Sequence, residues 1–130
     1  MKQSPSNVVH LSPVLSILKI VKEELQAVWG SEVNILSFTD AISAGRQILF
    51  APETPITLAI VDIDTPKADH FITALQDIYP RCPIVLTTGD GRGLDQTLLP
   101  SDKLQVLIKP FTVSQLIEAA ERCLSCTPTR

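Results

Sequence analysis

Two carboxylates follow an apolar segment near the middle of the chain. The stretch LAIVDIDTP, Leu58–Pro66, runs through apolar residues into Asp62 and then Asp64. Other apolar segments also end at or just before polar groups: His10, Thr88 and Lys109. An ammonium beside Asp62 would keep that carboxylate ionised. A histidine beside it could pair with it and sense pH, or could simply be a hydrogen-bonded residue of the interior.

The elements that would position these groups alternate between strand and helix patterns. Ser12 and Pro13 predict the start of a first helix, Asp40 caps a second, and Thr112 with Gln115 forms a capping box before the last. A third helix ends near Pro80 and a brief fourth near Pro100. Strands are predicted at 7–11, 32–38, 56–63, 83–88 and 104–108.

Five strand–helix units with right-handed crossovers predict a parallel sheet that has helices on both faces. The near-continuous apolar run of the third strand is typical of a strand covered on both sides. Functional sites in such sheets lie at the carboxyl ends of the strands. His10, Asp62, Thr88 and Lys109 should therefore meet at one edge of the sheet.

Composition favours one compact domain. The chain has 130 residues, 45% of them hydrophobic, and a formal net charge of −3. We expect one domain spanning 1–130, with a core of about 7–125 and no output domain. Without a basic cluster or many aromatic residues, we expect no nucleic-acid partner. Without a long apolar run or a signal peptide, we expect no membrane association.

The three cysteines, Cys82, Cys123 and Cys126, form no disulfide framework, which favours a reducing cytoplasm. Cys123 and Cys126 make a C-x-x-C at the predicted end of the last helix, without the second ligand pair of a zinc site. We interpret them as ordinary helix-end cysteines, and a redox-sensing role stays open. The segment GDGRG lacks the Walker lysine and the dinucleotide spacing, so we interpret it as a connecting loop.

The segments VDIDTP, PIVLTTGDG and LIKPF, in that order and spacing, resemble the receiver domain of the two-component response-regulator family. The resemblance covers about residues 7–125. It implies a flavodoxin-like sheet with strand order 2-1-3-4-5 and a Lys109-Pro110 bond that is often cis. It also implies that Asp62 accepts a phosphoryl group from a histidine kinase, that Lys109 neutralises charge, and that the Thr88 hydroxyl binds a phosphoryl oxygen.

The sequence departs from that family where the metal should bind. The resemblance implies two acidic residues after the first strand, but His10 and Leu11 occupy those places. Mg²⁺ requires oxygen ligands, which leucine lacks, and histidine suits a hard cation poorly. Asp64 is a weak candidate to compensate. We expect no cofactor, and if Mg²⁺ binds, Asp62 and Asp64 are the candidate ligands. Val106 also replaces the aromatic residue that often couples the switch to the surface.

These departures favour an atypical receiver that acts as a protein–protein interaction module with impaired Mg²⁺-dependent phosphorylation. By resemblance, its surface would lie on the fourth and fifth elements, and its partner would be a signalling protein such as a histidine kinase or an output protein. The alternative is a working phosphoacceptor receiver that is phosphorylated on Asp62. Neither hypothesis makes the chain an enzyme, and both leave a homodimer open.

Overall fold

The computed structural model describes residues 6–50, 55–89 and 104–125. The loop GDGRG beyond its first residue, Gly89, the brief helix near Pro100 and Cys126 lie outside these ranges, so those predictions stay untested. Within the described ranges, no helix combines the length and apolar character needed to cross a membrane. The elements are β1 Asn7–Leu11, α1 Leu15–Trp29, β2 Asn34–Phe38, α2 Ala41–Phe50, β3 Leu58–Asp62, α3 Ala68–Ile78, β4 Ile84–Thr88, β5 Leu104–Ile108 and α4 Val113–Ser125.

The five strands form one parallel sheet in the order β2-β1-β3-β4-β5. This confirms both the predicted fold class and the strand order that the family resemblance implied. Every residue of β3 and β4 is buried, as expected for central strands that are covered on both faces. The carboxyl ends of β1, β3, β4 and β5 therefore lie along one edge of the sheet.

Alternation along the strands divides the interior into two cores. Val9 and Val61 face one core, where α2 and α3 pack, and Val8 and Ile60 face the other, where α1 and α4 pack. Side chains at paired positions of neighbouring strands share a face. The pairing of Asp62 with Thr87 therefore places those two side chains on the same face of the sheet.

The predicted start of α1 is wrong. The helix begins at Leu15, its N-cap position is Val14, and no side chain caps it. The Ser12 N–H donates to the Phe38 carbonyl at 3.1 Å, which continues the strand ladder by one residue. The Ser12 hydroxyl accepts a hydrogen bond from the Val14 N–H at 3.3 Å. The strand pairing therefore delays the turn into the helix.

The two other predicted helix caps are confirmed. Asp40 accepts from the Ser43 N–H at 2.7 Å at the start of α2. At the start of α4, the Gln115 N–H donates to the Thr112 hydroxyl at 3.1 Å, and the Gln115 side chain accepts from the Thr112 N–H at 2.8 Å. Such caps satisfy N–H groups that have no partner within the helix.

The two sides of α1 give a test of this packing. Leu25 is fully buried in the core beneath α1, whereas Ile20 on the same helix is 52% exposed. We expect Leu25→Ala to lower the free energy of unfolding by about 2–5 kcal/mol, because it removes buried methyl groups and leaves a cavity. The matched control Ile20→Ala should change it by about 0.5 kcal/mol or less. Urea unfolding measures both, and equal losses would contradict this placement of α1.

Candidate functional site

An ion pair between Asp62 and Lys109 lies at the centre of the carboxyl edge. Lys109 Nζ lies 2.7 Å from Asp62 Oδ2, and the Asp62 side chain is only 3% exposed. The Lys109 N–H donates to the Thr88 carbonyl at 2.8 Å, which fixes the chain just after β5 beside β4. The Lys109-Pro110 bond is cis, as the family resemblance implied. These contacts join the ends of β3, β4 and β5.

Asp64 binds to the same lysine. Its N–H donates to Asp62 Oδ1 at 2.9 Å, so both oxygens of the Asp62 carboxylate accept a hydrogen bond. Asp64 Oδ2 accepts from the Gly89 N–H at 2.9 Å and lies 3.3 Å from Lys109 Nζ. Two carboxylates thus share one ammonium, and Asp64 connects the loop after β3 to the end of β4.

The charges around Lys109 outweigh its partial burial. Burial alone lowers the pKa of the Lys109 ammonium, but hydrogen bonds and charge attraction from Asp62 and Asp64 more than offset that effect. The net result is a raised pKa, so Lys109 is fully protonated at neutral pH. It is therefore a permanent counter-ion for the two carboxylates.

The end of β1 contributes no acid to the site. Burial lowers the pKa of His10 from 6.5 to about 4, so its imidazole is neutral at neutral pH. His10 Nδ1 is buried and has no hydrogen-bond partner among the described residues. Leu11 is fully buried in the core under α2 and α3. The two places where acids were expected thus hold a neutral ring and a core side chain.

A cavity of about 270 Å³ opens beside the ion pair. Of the residues that the sequence placed at this edge, His10, Asp62 and Lys109 line the cavity, whereas Thr88 does not and its neighbour Thr87 does. Thr88 is fully buried, and its carbonyl holds the Lys109 N–H. Sequence reasoning missed Thr87, which the sheet register identifies as the strand partner of Asp62. The full lining is His10, Ser12, Ile17, Asp62, Thr87, Lys109, Pro110 and Phe111.

These donors do not fit Mg²⁺. The ion takes near-octahedral oxygen ligands, whereas β1 offers an imidazole and a leucine. Asp62 already accepts hydrogen bonds on both oxygens, and Asp64 is bonded to Gly89 and Lys109. Across the described ranges, no group of three or more His, Cys, Asp or Glu side chains is placed to hold a metal ion. Within the site, the charge of the two carboxylates is balanced in part by the Lys109 ammonium.

Cys123 lies away from this site. It is buried in α4, and its Sγ lies 3.6 Å from the Ile84 carbonyl oxygen. Cys82 is also buried, between α3 and β4. Because Cys126 lies outside the described residues, the structure gives no test of the C-x-x-C pair.

Comparison with known proteins identifies the fold but no close relative. No protein-family model matches the sequence, and no curated protein matches it. A response regulator receiver protein from Sinorhizobium medicae aligns with a TM-score of 0.78 at 19% identity, over 94% of this chain and 96% of that one. A receiver domain protein from Clostridium thermocellum gives 0.75 at 19% identity, over 92% and 94%. The chemotaxis protein CheY4 of Vibrio cholerae gives 0.75 at 20% identity, over 93% and 100%.

Each of these likenesses extends over nearly the whole of both chains, so it concerns the complete fold and not a shared fragment. At identities this low, the comparison establishes the architecture, and the site must be interpreted from its own residues. The chain has the receiver fold, with two carboxylates, Asp62 and Asp64, that share the Lys109 ammonium at the edge where such sheets place their sites.

Proposed function

We propose that this chain is an atypical receiver domain, a signalling module that acts by binding another protein rather than through Mg²⁺-dependent phosphorylation. The observation that carries the proposal is the contact of the buried Asp62 with Lys109 at 2.7 Å, beside a strand end that supplies His10 and Leu11 in place of acids. In this role no residue of the chain is catalytic.

The charge at the site argues against adding a phosphoryl group. Asp62 and Asp64 carry two negative charges and Lys109 one positive charge, so the cluster has a net charge of −1. Phosphoryl transfer depends on cations that neutralise charge on the incoming group. Among the described residues, the one cation that contacts these carboxylates, Lys109, is already shared between them. A further anion beside Asp62 would raise the electrostatic energy, and β1 supplies no ligands for a metal ion that could offset it.

Exposed apolar side chains on β5 support a partner-binding role. Val106 and Ile108 are 39% and 51% exposed on this edge strand. Apolar side chains of this kind supply much of the affinity at protein interfaces when a partner covers them. We propose that this exposed face of β5 binds another signalling protein, such as a histidine kinase or an output protein.

One observation favours the alternative, a phosphoacceptor receiver. The cavity beside Asp62 also contains Lys109 and Thr87, so a small phosphodonor has space next to the carboxylate. In that case Asp62 takes the phosphoryl group, and Lys109 and a strand-end threonine bind its oxygens. The added charge would then alter the surface that a partner recognises.

Incubation with acetyl phosphate separates the two functions. We expect intact-mass measurement to show no phosphoryl adduct on the wild-type chain, with or without Mg²⁺, because the metal ligands are missing and Lys109 is already paired. Asp62→Asn is the control for any adduct at another residue. In cells, Asp62→Asn should leave signalling intact, while Ile108→Ser on β5 should reduce it.

A Mg²⁺-dependent adduct on the wild type that disappears in Asp62→Asn would overturn the proposal and establish the phosphoacceptor function. Loss of signalling in Asp62→Asn, with the fold intact by circular dichroism, would do the same.

The proposal also requires a neutral His10, which can be tested by pH. The unfolded chain takes up a proton at His10 below pH 6.5, whereas the folded chain resists protonation until about pH 4. Stability contributed by His10 is therefore present above pH 6.5 and is lost as the pH falls towards 4. The loss should amount to about 3 kcal/mol, from the difference between the two pKa values.

Urea unfolding of the wild type and His10→Gln at a series of pH values measures this loss. The variant should lack it, because glutamine does not titrate, while both proteins share the contribution of their carboxylates. Parallel pH curves for the two proteins would show that His10 is not held neutral in the fold.

A further inference from the structure

We propose that Asp64 is a built-in ligand that occupies a site for tetrahedral oxyanions at the carboxyl edge of the sheet. The site consists of the Gly89 N–H and the Lys109 ammonium, and the Asp64 carboxylate lies between them. The inference rests on the proposed function, because it explains how the site is filled without phosphorylation.

The geometry is that of a bound anion. A single oxygen, Asp64 Oδ2, lies 2.9 Å from the Gly89 nitrogen and 3.3 Å from Lys109 Nζ. One donor belongs to the main chain after β4 and the other to the side chain after β5. A backbone N–H and an ammonium that converge on one oxygen are the donors by which proteins bind oxyanions. The anion here is part of the same chain.

Solvent exposure shows that this contact is not forced by burial. The Asp64 side chain is 44% exposed, in contrast to the 3% of Asp62. A carboxylate that exposed could be hydrated by turning outwards into water. It instead points across the strand ends to two donors 25 and 45 residues away in the sequence. The local attraction of those donors therefore determines its position.

Occupancy by Asp64 has two consequences. A free oxyanion, or one attached to Asp62, would have to displace the Asp64 carboxylate from both donors and would also meet its charge. In addition, the loop after β3 stays joined to the end of β4 without any ligand. Asp64 therefore closes the site to oxyanions and takes over the structural role that a bound oxyanion would have.

Inorganic phosphate, without Mg²⁺ and without a phosphodonor, tests this directly. The full chain and its variants are titrated with phosphate at constant ionic strength, and the amide signals are followed by NMR. We expect Asp64→Ala to bind phosphate at least about tenfold more tightly than the wild type, with the Gly89 amide shifting. Asp64→Asn should lie between them, because its amide oxygen still accepts from Gly89 but carries no charge.

Two controls show whether the gain in phosphate affinity arises at the Asp64 site. Asp69→Ala removes an equally negative side chain from the exposed start of α3, where it is 68% exposed, and should bind phosphate no better than the wild type. Adding Lys109→Gln together with Asp62→Asn to Asp64→Ala should abolish the gain, because the ammonium is then missing while no buried carboxylate is left without a partner. As a second readout, amide exchange at Gly89 should be faster in Asp64→Ala than in the wild type, since its acceptor is lost.

Equal phosphate affinities for the wild type and Asp64→Ala would overturn the inference, as would unchanged Gly89 exchange in a folded Asp64→Ala variant. A gain that appears equally in Asp69→Ala would also overturn it, because it would reflect net charge alone. These outcomes are independent of the acetyl phosphate experiment. An adduct on Asp62 would refute the proposed function, while the phosphate titration would still report whether Asp64 occupies the donors.

Discussion

The structure of the site depends on one interaction, the ion pair between Asp62 and Lys109. The Asp62 carboxylate is nearly inaccessible to water, and a buried carboxylate without a partner would be strongly destabilising. Lys109 provides that partner only because the ends of β3, β4 and β5 lie side by side, and because its own N–H is held by the Thr88 carbonyl. The pair therefore requires the correct strand order, and it connects residues that are 47 positions apart in the sequence.

The apolar sheet makes this arrangement possible. β3 and β4 are buried on both faces, so their pleats fix the direction of each side chain up to the last residue. The same pleat places His10 among buried groups, where loss of hydration lowers its pKa and keeps the ring neutral. Leu11, one residue later, faces the opposite core. A site with acids at these two positions would be charged on both faces of the strand end, whereas this one concentrates its charge on Asp62, Asp64 and Lys109.

Much of the fold could be predicted from sequence because its signals are local. β1 and β5 were predicted with their correct ends, and the caps at Asp40 and Thr112 depend on neighbours within three residues. The start of α1 could not be predicted this way, because the competing bond from Ser12 goes to β2. Similarly, the sequence pattern placed Thr88 at the carboxyl edge, but strand register determines which of two adjacent threonines faces the cavity, and it selects Thr87. The bond from Gly89 to Asp64 has no local signal, since its donor and acceptor meet only after the sheet has formed.

A tethered carboxylate and a transferred phosphoryl group differ in how they can be controlled. A phosphoryl group can be added or removed, so the state of the site can carry information. Asp64 is attached to the main chain, so under the proposed function the site stays filled as long as the domain is folded. Information must then enter through the surface, where a partner that covers Val106 and Ile108 gains affinity from apolar contact and not from the charge state of Asp62. A domain of this kind would be regulated by the presence of its partner.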